Sequence, residues 1–421
     1  MLDQGGMALS DKRKSFLIVG MLICVCTGFG YAWSVFQIPL IKKFGWSTAD
    51  VSLTFTFNIM TTALVPGLVG KLLDYIKTRQ VILIGGLIFG LSVIGSGYVQ
   101  TLGQLYLAGG IGTGLGIGIL YPTITAHSVK IFPESRGLAA GLLAASYGSG
   151  AIIWAPIAVR ITEKYGVLTA YKVLGIIFLI AICFLSRLII DSPQKNTRKE
   201  NVTEETIPLK SHVEDKNWKE MLKSPNYYVI AGIFAIGSTS GLMIMGHASP
   251  IVQETLKVSA STAALVVGLI AIANTCGRLF WGWLSDRIGR YATICILFAI
   301  VVMSMLIMAT GSQVYLFVTM IVAIGLCYGG FAALMAPLTA DTFGMKYLSE
   351  NYGFMYFAYG IGGLLGPRLA AIARDLNNGS YTWAFFIAAL LSIIGIVLTL
   401  LSSRKKNSIS NLNQRSEKLC S

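Results

Sequence analysis

Gly282-Trp283-Leu284-Ser285-Asp286-Arg287-Ile288-Gly289-Arg290 has a looser copy earlier in the chain, Gly70-Lys71-Leu72-Leu73-Asp74-Tyr75-Ile76-Lys77-Thr78-Arg79. Each copy closes an apolar run, and each sets an acid four residues after a glycine. The two glycines lie 212 positions apart. Thr125-Ala126 recurs as Thr339-Ala340 at an offset of 214, and Glu134 and Gly137 recur as Glu350 and Gly353 at 216. Three matches in order at nearly constant spacing indicate a duplicated chain.

Outward from these loops the sequence is strongly apolar. Of 421 residues 54% are apolar and only 12% charged, against about 25% charged in soluble domains. Mean hydropathy is +0.69. Repeated apolar stretches near twenty residues match the thickness of a bilayer. This excludes a soluble enzyme, a disordered chain, and a β-barrel, whose spans would be ~10-residue alternating segments. The pattern predicts twelve spans, over residues 16–40, 51–72, 80–99, 104–128, 137–160, 168–190, 226–249, 260–284, 291–310, 313–340, 351–374 and 381–402. The fold class expected is an all-α membrane protein, with twelve transmembrane helices in two pseudo-symmetric six-helix bundles.

The formal charge of +14 would suggest a nucleic-acid partner in a soluble protein. Here 24 of the 33 Lys and Arg fall in segments on one side, seven fall on the other, and Arg278 and Arg368 lie within spans. By the positive-inside rule the richer side, which holds both termini, is cytoplasmic. The charge is therefore topology, and no nucleic acid is expected. Residues 191–224 are too polar to fold alone and read as a cytoplasmic linker. The expected organisation is a cytoplasmic tail over 1–15, bundles over 16–190 and 225–402 joined by that linker, and a basic, mobile cytoplasmic tail over 403–421. Seven cysteines without a CxxC pair, six of them in spans, imply neither disulfides nor a metal site. Two similar halves are the signature of a transporter whose substrate binds at their pseudo-symmetric interface.

The doubled loop resembles the cytoplasmic motif of the major facilitator superfamily. That resemblance implies a role for Asp74 and Asp286 in capping and pairing with basic groups, Arg136, Arg287 and Arg290 among them, to gate the cytoplasmic side. Phe132-Pro133-Glu134-Ser135-Arg136-Gly137-Leu138-Ala139-Ala140-Gly141 resembles the signature between spans 4 and 5 of the monocarboxylate transporters. Gly28-Phe29-Gly30-Tyr31-Ala32-Trp33 is similar to their span-1 signature, with Gly28 where they carry an acid. Their span-8 arginine, which binds substrate, corresponds to Arg278, and the acid one turn before it is Asn274 here. The same spans also resemble the bacterial oxalate–formate antiporter group. Its oxalate-exchanging members add a span-11 lysine, where this chain has Tyr359.

The residues carry much of this without the family. Arg278 sits about 9 Å from the middle of its span at 1.5 Å per residue. An arginine at the centre of a span costs about 2.5–3.5 kcal/mol on the lenient insertion scale. The plainer reading is a side chain that snorkels to the surface or pairs with a buried acid. Yet all 19 acids fall in loops, tails or helix ends, and the equivalent residue of the first half is Pro66. The guanidinium fork suits a carboxylate in bidentate contact. Asn274, one turn earlier on the same face, either contacts substrate or fixes the arginine rotamer. Tyr31, Tyr121, Tyr328 and Tyr359 are the aromatic candidates for the substrate cavity, the alternative for each being plain packing. His247 is the candidate proton carrier, or else a polar interface residue. A lone Arg278 neutralises one carboxylate and leaves the second charge of a dicarboxylate uncompensated.

The function expected is a secondary transporter, not an enzyme, moving a lactate- or pyruvate-sized monocarboxylate by alternating access with a proton as co-substrate. Carboxylate exchange and, more remotely, carboxylate sensing are the alternatives. The glycine-rich strings inside spans are packing seams, with no Walker lysine after them, so nucleotide-driven transport is not expected. No cofactor or metal is expected. The partners are a small organic anion and the lipid bilayer, and the chain reads as a monomer in a bacterial inner (plasma) membrane.

Overall fold

The computed structural model describes residues 4–72, 76–189, 215–310 and 313–420. Its elements in order are α1 (Gln4–Thr27), a 3-10 segment (Gly28–Trp33), α2 (Ser34–Phe44), α3 (Thr48–Leu72), α4 (Thr78–Ser96) and α5 (Leu102–Leu105). A π-helical turn (Tyr106–Gly112) leads into α6 (Thr113–Ile131), followed by α7 (Arg136–Tyr165), α8 (Val167–Arg187) and α9 (Trp218–Lys223). The second half holds α10 (Pro225–Leu256), α11 (Ala260–Ile288), α12 (Arg290–Thr310), α13 (Val314–Phe343), α14 (Leu348–Met355), α15 (Phe357–Leu376) and α16 (Thr382–Cys420). Eleven of the described helical stretches are long and apolar enough to cross a membrane. The remaining expected span, α14 with α15, breaks at Tyr356 and carries Arg368, Arg374 and Asp375.

Several of the described spans depart from simple helices. The first is interrupted by the 3-10 segment, where Gly28 and Gly30 lower helix propensity. The fourth begins with the π-helical turn. The last runs on to Cys420 as helix, where the sequence predicts a mobile tail. Residues 403–420 contain no glycine or proline, so nothing in the backbone chemistry ends the helix. Asp74 and the linker residues 191–214 lie outside the described residues.

The chain forms two compact units, neither of them one continuous stretch. One contains Met1–Phe132, Gly150–Lys219 and Thr339–Phe354; the other contains Pro133–Ser149, Glu220–Leu338 and Met355–Ser421. Each therefore takes in a short segment of the opposite half of the sequence, and glycines make room for it. In the second unit a Cβ at Gly282 would overlap the Gly137 carbonyl, and one at Gly141 would overlap the Arg278 carbonyl. In the first, a Cβ at Gly70 would strike the backbone of Ser349 and Glu350, and one at Gly353 the Pro66 carbonyl.

These contacts fix the register of the duplication. Gly137 plays the part of Ser349 and Gly141 that of Gly353, an offset of 212, the same as between Gly70 and Gly282. The sequence match of Glu134 and Gly137 with Glu350 and Gly353 is thus displaced by four residues. A shift of four is close to one helical turn, so it leaves the same face exposed and escapes a pattern search.

The described end of the linker is tied into the first unit. Asp215 Oδ1 accepts the N–H groups of Met345 and Lys346 at 2.9 and 3.1 Å, Asn351 Nδ2 donates to the Lys216 carbonyl at 2.8 Å, and Trp218 stacks on Phe354 at 5.1 Å.

Candidate binding site

Arg278 lies on α11 and is only 2% exposed. Its position follows from how closely its neighbours approach. Across from it on α13, Gly329 is crowded against the Asn274 carbonyl and the Arg278 amide nitrogen, while Gly277 meets the Leu326 carbonyl. On the other side Gly141 of α7 rests on the Arg278 carbonyl. Small residues bring helix backbones together in this way inside a membrane.

Two hydrogen bonds help to hold the guanidinium. Nε donates to Asn274 Oδ1 at 3.1 Å, and Nη1 donates to the Ala144 carbonyl of α7 at 2.5 Å. Asn274 is itself oriented, because its Nδ2 donates to the Gly325 carbonyl at 3.2 Å. Both ends of the amide are engaged, one on the arginine and one on α13. That geometry supports the rotamer-fixing alternative for Asn274. The pair forms a splint that aims the guanidinium and leaves its charge unneutralised by the amide.

Tyr328 and Tyr359 belong to the same unit as Arg278. Tyr328 is 4% exposed and packs its ring over Gly241 of α10; Tyr359 is half-buried, 5.3 Å from the ring of Tyr356. Tyr121 and Tyr31 belong to the other unit. Tyr121 is buried beside the helix-interior Pro122, with its carbonyl accepting from Thr125 Oγ1 at 2.8 Å, and Tyr31 sits in the 3-10 segment.

Asp286 caps α7. Its two oxygens accept the N–H groups of Gly137 and Leu138 at 3.0 and 2.9 Å, and Arg290 pairs with Oδ1 at 2.6 Å. A carboxylate at a helix start satisfies amides that have no partner within the helix and complements the helix dipole. Arg287 turns away, its guanidinium 4.2 Å from the centre of the Trp283 ring. Arg136 is the first residue of α7.

His247 marks a kink in α10, with φ −123° and ψ 16°. Its ring lies 5.8 Å from Tyr381, and Nδ1 is buried. Farther along, Glu254 accepts both Nε and Nη2 of Arg374, at 3.0 and 2.7 Å. Arg368 is exposed.

Sequence reasoning missed the contribution of α7 to the arginine. A carbonyl donated by Ala144 has no side-chain signature, and only the helix crossing reveals it. It also missed a small cavity in the first unit, about 20 Å³ and large enough for one water. Asn58, Thr113 and Tyr171 line it together with aromatic rings, and the Tyr171 hydroxyl has no hydrogen-bond partner among the described residues.

The family model described as Major Facilitator Superfamily matches residues 18–290 and again 238–419. An uncharacterized MFS-type transporter of Escherichia coli, YhjX, is 29% identical over 357 residues, 84% of this chain and 87% of its own. The oxalate:formate antiporter of Oxalobacter formigenes is 29% identical over 395 residues, with 93% and 91% covered. Monocarboxylate transporter 12-B of Danio rerio is 24% identical over 446 residues, with 97% and 93% covered. Among solved structures, a bacterial homologue of the iron transporter ferroportin in an outward-facing state superposes with a TM-score of 0.69 at 16% identity, covering 93% of this chain and 99% of that one. At that identity the likeness shows the fold alone.

Proposed function

The chain belongs to the Major Facilitator Superfamily, and we propose that it is a secondary transporter of small monocarboxylates that uses Arg278 to bind the carboxylate. The observation that carries this reading is the buried guanidinium, aimed by Asn274 and the Ala144 carbonyl. A charge at the centre of a span costs about 2.5–3.5 kcal/mol to insert, and a guanidinium buried within one favours a functional reason for it. The planar fork takes a carboxylate in two parallel hydrogen bonds, so the natural ligand class is a carboxylic acid anion. The duplicated halves alternate access to that site, with both termini on the cytoplasmic side and the Asp286 cap, together with Asp74, as the gate. Tyr328 and Tyr359, of the same unit as Arg278, and Tyr121 and Tyr31 are the aromatic residues proposed to contact the substrate. Proton symport supplies the energy. His247, at the kink of α10, is the group proposed to take part in proton transfer.

A second reading, exchange of one carboxylate for another, draws on the likeness to the oxalate:formate antiporter. The two separate in one experiment. The purified protein is reconstituted in liposomes, and labelled L-lactate uptake is measured with and without an inward proton gradient, and with formate or oxalate preloaded. Accumulation driven by the gradient in otherwise empty vesicles is the expected result. Uptake only into preloaded vesicles selects exchange, and no uptake under any condition overturns the substrate class.

A further inference from the structure

The two halves of this chain differ at a pair of equivalent loops. In the register set by the glycine crossings, Gly344, Met345 and Lys346 correspond to Phe132, Pro133 and Glu134, an offset of 212. The helices before them, α13 and α6, end with the same bond. The N–H of Gly344 donates to the Ala340 carbonyl and that of Phe132 to the Ser128 carbonyl, each at 3.0 Å. Beyond that bond the loops part. Phe132 keeps φ at −117°, whereas Gly344 takes φ +86°, a left-handed conformation that a side chain disfavours. Pro133 has no N–H to donate, while Met345 and Lys346 offer two in succession.

Ending a helix therefore does not explain the Gly344 turn. What it receives does. Asp215 Oδ1 accepts both of those N–H groups, at 2.9 and 3.1 Å, and the Lys216 N–H donates to the Phe343 carbonyl at 3.0 Å. Successive backbone N–H groups around one oxygen form an anion-binding turn. A side chain at Gly344 would strike Asp215, so the glycine also makes room for the linker. On the same loop Lys130 Nζ of α6 donates to the Lys346 carbonyl at 3.4 Å and to Ser349 Oγ at 3.3 Å. The linker and α6 thus both hold the start of α14, whose backbone crosses α3 closely at Gly70 and Pro66.

We propose that Asp215 is a positioning residue of the transport cycle. Docked in the Gly344–Lys346 turn, the linker latches α14 onto α3 and holds the cytoplasmic side shut; its release lets that side open. This rests on alternating access by the duplicated halves and not on the identity of the substrate. Asp215 is exposed, so replacing it removes the latch without emptying a core.

The test is hydrogen–deuterium exchange on the full-length protein in lipid nanodiscs, wild type against Asp215→Ala, with no substrate added. Exchange in the variant should rise about fivefold, the scale of one net hydrogen bond. The rise should appear both in residues 343–346 and at the end of α3, residues 64–70, where water gains access once α14 lifts. A rise confined to 343–346 means a local cap only and overturns the proposal, as does unchanged exchange at both places. A rise that extends to α12, in the other unit, reports general loosening and also overturns it. Because no substrate enters the measurement, its failure leaves the monocarboxylate reading standing. Failure of that reading in the uptake assay likewise leaves the latch.

Discussion

At the residue scale, the pair Arg278–Asn274 shows how a buried guanidinium is positioned within a span. The arginine is aimed in part by two neutral oxygens, Asn274 Oδ1 and the Ala144 carbonyl. Arg278→Lys keeps the charge and loses the fork, and uptake should fall at least about tenfold, equivalent to about 1.4 kcal/mol of binding or barrier. Insertion and unfolding temperature should change little by comparison. Asn274→Leu removes the splint, leaving Nε and the Gly325 carbonyl each without that hydrogen bond. A buried polar group deprived of its partner costs about 1–3 kcal/mol, so this variant should unfold earlier as well as transport poorly. Retention of full uptake by Arg278→Gln would sink the binding assignment. Both residues could be picked from the sequence as a pair one turn apart. Their division of labour could not, because Asn274 reaches α13 through Gly325, 51 positions away.

At the scale of elements, the caps and crossings of α7 are decisive. Asp286→Ala removes the acceptor for two α7 amides and the partner of Arg290, and should destabilise by about 1–2 kcal/mol. Asp286→Asn keeps an acceptor while losing the charge, so its unfolding temperature should fall between alanine and wild type. The duplicated register makes a second prediction for elements. Gly353 and Gly141 occupy equivalent crossings, so Gly353→Val and Gly141→Val should destabilise comparably, by about 1–3 kcal/mol each. A much milder effect at Gly353, measured by thermal unfolding, would contradict the 212-residue alignment. The doubled loop motif was legible because acids are sparse, 19 in 421 residues, and at both places one follows a glycine by four positions. The one-turn slip was not, because helical periodicity is nearly blind to a displacement of four.

At the scale of the whole molecule, the proposed carboxylate site makes charge count the test that separates one acid from another. With Tyr359 in place of a lysine, a dicarboxylate meets one fewer cation in this unit. Tyr359→Lys should shift preference towards oxalate relative to lactate, measured as a competition of unlabelled acids against labelled L-lactate. An unchanged ranking would remove the two-cation argument. The lysine carries its own insertion cost of about 2.5–3.5 kcal/mol at mid-span, so expression and unfolding are measured alongside.

Hydropathy, loop charge and the repeated Gly–Asp loop determined the class of this protein before any coordinates, because a bilayer imposes span length and apolarity on every crossing segment. They also picked out Arg278, since a cation inside an apolar stretch is conspicuous in one dimension. The tertiary structure alone decided what surrounds it. The Ala144 carbonyl and the closely packed Gly141 and Gly148 come from a helix more than a hundred residues away in sequence. A backbone oxygen and a missing side chain leave no mark in composition or period; they become chemistry only when two helices cross closely enough to use them.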